Sequence, residues 1–262
     1  DVFRINIMLQ RASTGESIGS ERVQGQGEES VFPMVDDLTR KIKAKYRLSE
    51  EEIASDIDKE IGKITTSSPK AYKYYSEGIK HGNTGDFNKC ISLLERAVAI
   101  DPEFATAYRT MAVAYGNLGY QSKEKEYIEK AMKFVDRIPD RERYEIQGDF
   151  YWQSEKTYDK AIESYNKLLM LYPEDRMANT NLGLLYSIIE QWDKAIERLD
   201  VNKQNKVETF YTYVNLAIPY MAKGLYEKAR EVLEYYLNNV SEHALTHDTL
   251  AINYLCKGKY EL

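Results

Sequence analysis

The chain has 262 residues, and its 36 Lys and Arg against 42 Asp and Glu leave a formal net charge of −6. That length suits one or two domains, and a sequence pI near 5.4 offers no basic footprint for nucleic acid. A hydrophobic fraction of 43% suits a folded chain, and no stretch approaches the ~18 consecutive apolar residues that a membrane span needs, so direct membrane insertion is not expected.

Residues 1–64 stand apart from the rest. In Val2–Gln10, Phe3, Ile5, Ile7 and Leu9 alternate with Arg4, Asn6 and Met8, a period of two that predicts a strand with one buried face. The turn cluster ASTGE at 12–16 and a more polar strand over Ser17–Gln26 complete a β-hairpin. A helix is predicted over 29–46, with Val31, Met34, Val35, Leu38, Ile42 and Tyr46 as its apolar stripe. Pro33 falls in its first turn, where a missing N–H costs little. A lone hairpin is marginal in water, so this one must pack on that helix or on strands outside the chain. At 48–60, Ser49 and Glu52 have the spacing of a capping box and predict a short acidic linker helix.

From 65 to 262 one pattern recurs. Copies begin at Ala71, Ala105, Glu142, Arg176, Phe210 and Ala244, at spacings of 34, 37, 34, 34 and 34 residues, and the last copy is cut short. Each copy reads as two amphipathic helices joined by a tight turn. The eighth position holds Gly78, Ala112, Asp149, Gly183, Ala217 and Ala251, and the twentieth holds Cys90, Glu124, Ala161, Ala195 and Ala229. Small residues there let two helix backbones approach. Bulky Leu94, Ile128, Tyr165, Leu199 and Leu233 fill position 24, one turn from Ala97, Ala131, Leu168, Asn202 and Tyr236 at position 27. Gly85, Gly119, Gly224 and Gly258 at position 15 suit a left-handed helix cap. Pro102 and Pro173 stop second helices.

These residues at this period resemble the tetratricopeptide repeat family over residues 71–262. The resemblance implies a mainly α fold, a solenoid of helix-turn-helix repeats, preceded here by the small α/β hairpin-plus-helix segment. The run RINIMLQRASTGESIGSERVQG with FPMVDDLTRKI further on resembles the last hairpin and helix of the TolB amino-terminal-like region, which often precedes such repeats in bacterial signalling proteins.

Departures from the pattern are local. Three extra residues fall in VDRIPDR at 135–141, where Pro139 and Asp140 predict a loop. Gly148 and Asp149 are shifted against the repeat consensus. Pro219 lies inside a predicted first helix and either kinks it or widens the groove beside it. Tyr74, Tyr108, Tyr115, Tyr186, Tyr220 and Tyr254 occupy repeat positions expected in the core.

Chemistry-bearing constellations do not emerge. Phosphate-loop, H-E-x-x-H and G-x-S-x-G patterns are all missing from the sequence. His243 and His247 have metal-compatible spacing, but no third ligand accompanies them, and no metal or cofactor is expected. Cys90 and Cys256, five repeats apart, read as packing residues too distant to bridge. Neighbouring acids such as Asp36 and Asp37 do not face one another across a cleft as catalytic carboxylates must. The expectation is therefore not an enzyme.

In the family that the repeats resemble, first helices line a concave surface. Its positions here carry Tyr75, Ile79, Val113, Phe150, Leu184 and Ile218, with Arg109 and Arg143 as polar anchors. Tyr72, Tyr211, Leu245 and Ile252 belong to the same lining. The Lys/Asn/Arg carboxylate clamp of chaperone-binding members is not matched, since Tyr75, Ile79, Thr110 and Gln147 stand beside a single basic Arg143. The expected function is a non-catalytic scaffold that binds a partner peptide or helix in that groove. The alternative is a regulatory arm of a larger bacterial signalling enzyme, a Ser/Thr kinase or nucleotide cyclase whose catalytic domain lies outside this chain. The start at Asp1 and the stop at Leu262 read as a piece of a longer protein. The hairpin and the helix beginning at Ala244 offer two surfaces for self-association. The compartment is not fixed; a soluble domain in bacterial cytoplasm or periplasm is expected if the chain is part of a membrane-anchored signalling protein.

Overall fold

The computed structural model describes residues 1–45 and 66–258; Tyr46 and the predicted acidic helix at 48–60 lie outside them. By internal contacts the chain forms two compact units, Asp1–Phe150 and Tyr151–Leu262.

The first unit opens with antiparallel strands β1 (Val2–Gln10) and β2 (Ser17–Gln26), in which Ile5 pairs with Val23 and a bulge falls between Leu9 and Gln10. Gly15 closes the turn at φ 70°, its N–H donating to the Arg11 carbonyl at 2.8 Å. Period-two alternation puts Phe3, Ile5 and Ile7 on one face, where they meet Val23 and the buried Met34 and Leu38 of α1 (Val31–Lys45). A 3-10 turn over Glu28–Ser30 occupies the start of the predicted helix, so α1 begins two residues later than the periodicity suggested. The Lys45 ammonium reaches back to the Ser20 carbonyl at 3.0 Å and to Glu21 at 2.5 Å. Phe32, which lay outside the predicted stripe, is buried, and its ring sits edge-on to Tyr72 at 5.8 Å. This contact docks the hairpin-plus-helix segment on the first repeat.

The helices α2 (Pro69–Asn83), α3 (Phe87–Ile100), α4 (Ala105–Asn117), α5 (Gln121–Met132) and α6 (Asp140–Trp152) follow. Ser68 caps α2 by accepting from the Ala71 N–H at 3.2 Å, with Pro69 in the first turn. At Gly78, an added Cβ would stand 3.3 Å from the Cys90 carbonyl and from Leu94, a close approach of the two helices at this crossing. Leu94 and Ala97 are fully buried with Phe104 and Met111 in one cluster. The extra residues at 135–141 are not idle: Val135 and Ile138 bury themselves against Ile128, Ala131 and Ile146. Asp140, expected in the loop, is the first residue of α6, because Pro139 just before it presets the helix start.

The second unit contains α7 (Tyr158–Leu171), α8 (Arg176–Ile188), α9 (Trp192–Gln204), α10 (Phe210–Ala222), α11 (Tyr226–Asn239) and α12 (Ala244–Cys256). Its core is built from the same positions: Leu199, Leu216, Ala217, Ala229, Leu233 and Tyr236. The α8–α9 crossing is tighter than that at Gly78, since a Cβ on Gly183 would meet Leu199 Cγ at 2.5 Å. Pro219 does not break α10, which runs on to Ala222 with Pro219 buried inside it.

First helices end alike. At Gly85, Gly119 and Gly224 φ lies between 71° and 82°, and the next residue donates its N–H to a carbonyl five residues back, at 2.9 Å in each case. In the fourth repeat Glu190 takes that left-handed position at φ 59°, and the Gln191 N–H still closes on the Tyr186 carbonyl at 2.8 Å. In the third repeat the Thr157 hydroxyl replaces this bond, donating to the Tyr151 carbonyl at 2.5 Å. Of the tyrosines expected in the core, Tyr186 is buried, while Tyr74, Tyr108, Tyr115, Tyr220 and Tyr254 are half-buried. Among the described residues, the fully buried tyrosines are Tyr165 and Tyr213. A phenol at an interhelical edge keeps its hydroxyl near water and buries only its ring.

Candidate partner-binding surface

In the first unit, the predicted lining residues fall into two groups. Val113 is exposed, and Ile79 is half-buried on α2. Phe150 packs against the cluster around Ile146 and is half-buried. The polar members are engaged within the unit. Arg109 donates from Nε to Asp149 at 2.7 Å and pairs through Nη2 with Glu145 at 2.9 Å, both on α6. All three side chains are largely withdrawn from water, at 13%, 21% and 15% exposure. Tyr75 on α2 joins this group, its hydroxyl beside Thr110 and Thr106 of α4. Burial pushes its hydroxyl pKa above the usual value, against the opposing pull of Thr110 and of the Arg109 charge. Its ring tilts against Phe104 at 4.9 Å. Arg143 is held on its own helix, donating to Asp140 at 2.6 Å with its guanidinium over Tyr144 at 5.2 Å.

The first helices of the second unit present a different surface. α10 lies between α8 and α12 and touches both. Leu184 on α8 is half-buried. On α10, Tyr211 and Ile218 are 56% and 42% exposed; on α12, Leu245 and Ile252 are each 50% exposed. Within each helix the pair is seven residues apart, and the two pairs are 34 residues apart, so they occupy equivalent places on neighbouring repeats. Two turns of helix put the members of a pair about 10.5 Å apart. Asp248 stands on α12 between Leu245 and Ile252, exposed, with no hydrogen bond or ion pair to any described residue. The repeat register could have singled it out, because it holds the same place in its repeat as Tyr75 and Arg109.

Polar side chains beneath this surface do structural work. The Asn202 amide, where the repeat favours alanine, donates to the Arg176 carbonyl at 3.2 Å and to Thr180 Oγ1 at 2.8 Å, tying α9 to α8. Asn253 ties α12 to α11 through the Tyr226 carbonyl at 3.1 Å. His243 stands at the start of α12 without a side-chain capping bond and stacks on Phe210 at 3.6 Å, while His247 is exposed. No helix among the described residues is long and apolar enough to cross a membrane. Both surfaces offer shape, apolar contact and a few charges.

Residues 142–175 match the tetratricopeptide repeat family. Over 124 residues the chain is 28% identical to the photosystem I assembly protein Ycf3 of Prochlorococcus marinus strain MIT 9215, covering 42% of this chain and 72% of that protein. Against Ycf3 of Prochlorococcus marinus subsp. pastoris the identity is 24% over 153 residues, covering 53% of this chain and 83% of the relative. Among solved structures, TTC0263, a thermophilic TPR protein of Thermus thermophilus, is similar at a TM-score of 0.59 and 19% identity, covering 71% of this chain and 99% of that one. The type IV pilus biogenesis factor PilW is similar at 0.57 and 18%, covering 72% and 87%. The helix pairs, their shared core positions and these likenesses agree on the fold: residues 142–175 match the tetratricopeptide repeat family, and the helices form a solenoid of such helix-turn-helix pairs with a β-hairpin and helix ahead of it.

Proposed function

We propose that this chain is a non-catalytic interaction scaffold whose first helices hold a segment of a partner protein. The observation that carries the reading is the exposure of large apolar side chains on those helices. Tyr72, Val113, Tyr211, Ile218, Leu245 and Ile252 remain open to water while the equivalent core positions are sealed. Exposed apolar groups that recur in register are costly to solubility and favour a bound partner. Within this reading, Ile79, Val113 and Phe150 supply contact area in the first unit, and Leu184 and Ile218 do so in the second. Tyr75, Arg109 and Arg143 hold the first unit's surface in shape and offer polar edges. The Prochlorococcus relatives carry the name of an assembly protein, and holding other proteins is what such a role requires.

Photocrosslinking tests this. A benzophenone side chain placed at Val113 or Ile218 should crosslink to a partner in the source cell, while one at Met170 or Tyr235, exposed on second helices, should not. Crosslinks from the second-helix positions alone would move the site off the first helices and end this reading.

A further inference from the structure

The second unit's surface carries more detail than a scaffold needs. Tyr211, Ile218, Leu245 and Ile252 form two short apolar rows on adjacent helices. First helices that touch lie about 8–10 Å apart, close to the spacing of about 10.5 Å along each row. The furrow between two such rows matches one helix, which meets both with a single apolar stripe. Tyr211, Val214, Asn215, Ile218, Leu245 and Ile252 bring no charge to it. The one carboxylate set among them is Asp248, exposed and without a partner among the described residues. Covering that carboxylate with an apolar partner would remove its water and leave it unpaired, at a cost of several-fold to many-fold in affinity. A cationic side chain in the partner's stripe removes the penalty and adds a charge-assisted hydrogen bond.

We propose that the α10–α12 face takes an amphipathic helix whose apolar stripe carries a single Lys or Arg, seated against Asp248. This rests on the reading that first helices are the interaction faces, and it names the class of partner for the second unit.

The test uses the full chain and two labelled helical peptides, each about five turns long. Both have Leu at i, i+3, i+4 and i+7 spacing, and they differ only in carrying Arg or Glu in the middle of that stripe. Fluorescence anisotropy should show the Arg peptide binding more tightly by about fivefold or more. Asp248→Arg should invert the preference, and Ile252→Asp should abolish binding of both peptides; circular dichroism checks that each variant folds. Equal binding of the two peptides, lost in Ile252→Asp, overturns the inference and leaves the scaffold reading standing. Binding of neither peptide overturns the inference, while crosslinks from Val113 judge the scaffold reading independently. Two further outcomes would reassign the face and overturn the inference. One is a dimer in sedimentation that Ile252→Asp dissolves; the other is adsorption to phosphatidylserine vesicles that the same change removes.

Discussion

The first helices of the two units solve one geometric problem with different chemistry. In Asp1–Phe150, the row is laced by polar bonds that cross from helix to helix, Arg109 to Glu145 and Asp149. In Tyr151–Leu262, the places of Tyr75 and Arg109 hold Thr180, Val214 and Asp248, and on the last two of those helices Tyr211, Ile218, Leu245 and Ile252 stay open to water. Each row rests on a sealed layer within its own unit, with Leu94 and Leu233 fully buried at one and the same repeat position. A shared core therefore leaves the outer positions of the first helix free to vary. One unit uses that freedom for internal cohesion and the other for a surface.

The largest test of this contrast removes the polar lace. Arg109→Met leaves Glu145 and Asp149 near one another with no guanidinium between them and should cost about 2–4 kcal/mol in urea unfolding of the first unit. Adding Glu145→Gln and Asp149→Asn should recover most of that loss. A cost below about 0.5 kcal/mol would mean the charges behave as exposed ones and the lace holds nothing together.

A smaller effect compares the crossings. Gly183→Ala forces a Cβ to within 2.5 Å of Leu199 Cγ and should destabilise by about 1–2 kcal/mol. At Gly78 the tightest contacts are 3.3 Å, so Gly78→Ala should come out near zero, the better helix propensity of alanine offsetting a small strain. Equal costs by thermal melting would remove the difference in crossing tightness. Smaller again is Glu190→Gly, which relieves a left-handed backbone at φ 59° and should stabilise by about 0.5–1 kcal/mol. A loss of stability there would mean that the Glu190 side chain contributes more than its backbone costs.

The last comparison is nearly silent at neutral pH. Burial raises the hydroxyls of Tyr75, Tyr108 and Tyr115 in one unit and of Tyr213 and Tyr220 in the other above their ordinary value of 10.0. A pKa raised on folding contributes stability that is fully present below the unfolded value and is lost as pH climbs through the folded one. Unfolding midpoints should hold steady up to about pH 9.5 and fall beyond it, with Tyr75→Phe blunting the fall of the first unit. Identical midpoints at pH 8 and pH 11 would contradict the burial of these rings.

Local spacing made much of this molecule legible. Alternation in Val2–Gln10 pointed to β1, and small residues every 34 positions marked the helix crossings that Gly78, Ala217 and Ala229 occupy in the structure. Glycines at the fifteenth position announced the helix ends that Gly85, Gly119 and Gly224 now form at positive φ. Other features left no local trace. Phe32 lies off the stripe of α1 because its partner, Tyr72, comes 40 residues later, the same separation at which Arg109 finds Asp149. From spacing alone Arg109 looked like an anchor for a ligand, and the structure engages it with α6. Asn202 stands at a position that Ala97 and Ala131 hold in other repeats, and its amide binds α9 to α8. The sequence by itself determined where helices start, stop and cross, because those depend on residues one or two turns apart. Only the tertiary structure decided which polar groups meet and which apolar groups stay open, because those depend on what the neighbouring repeat places opposite each side chain.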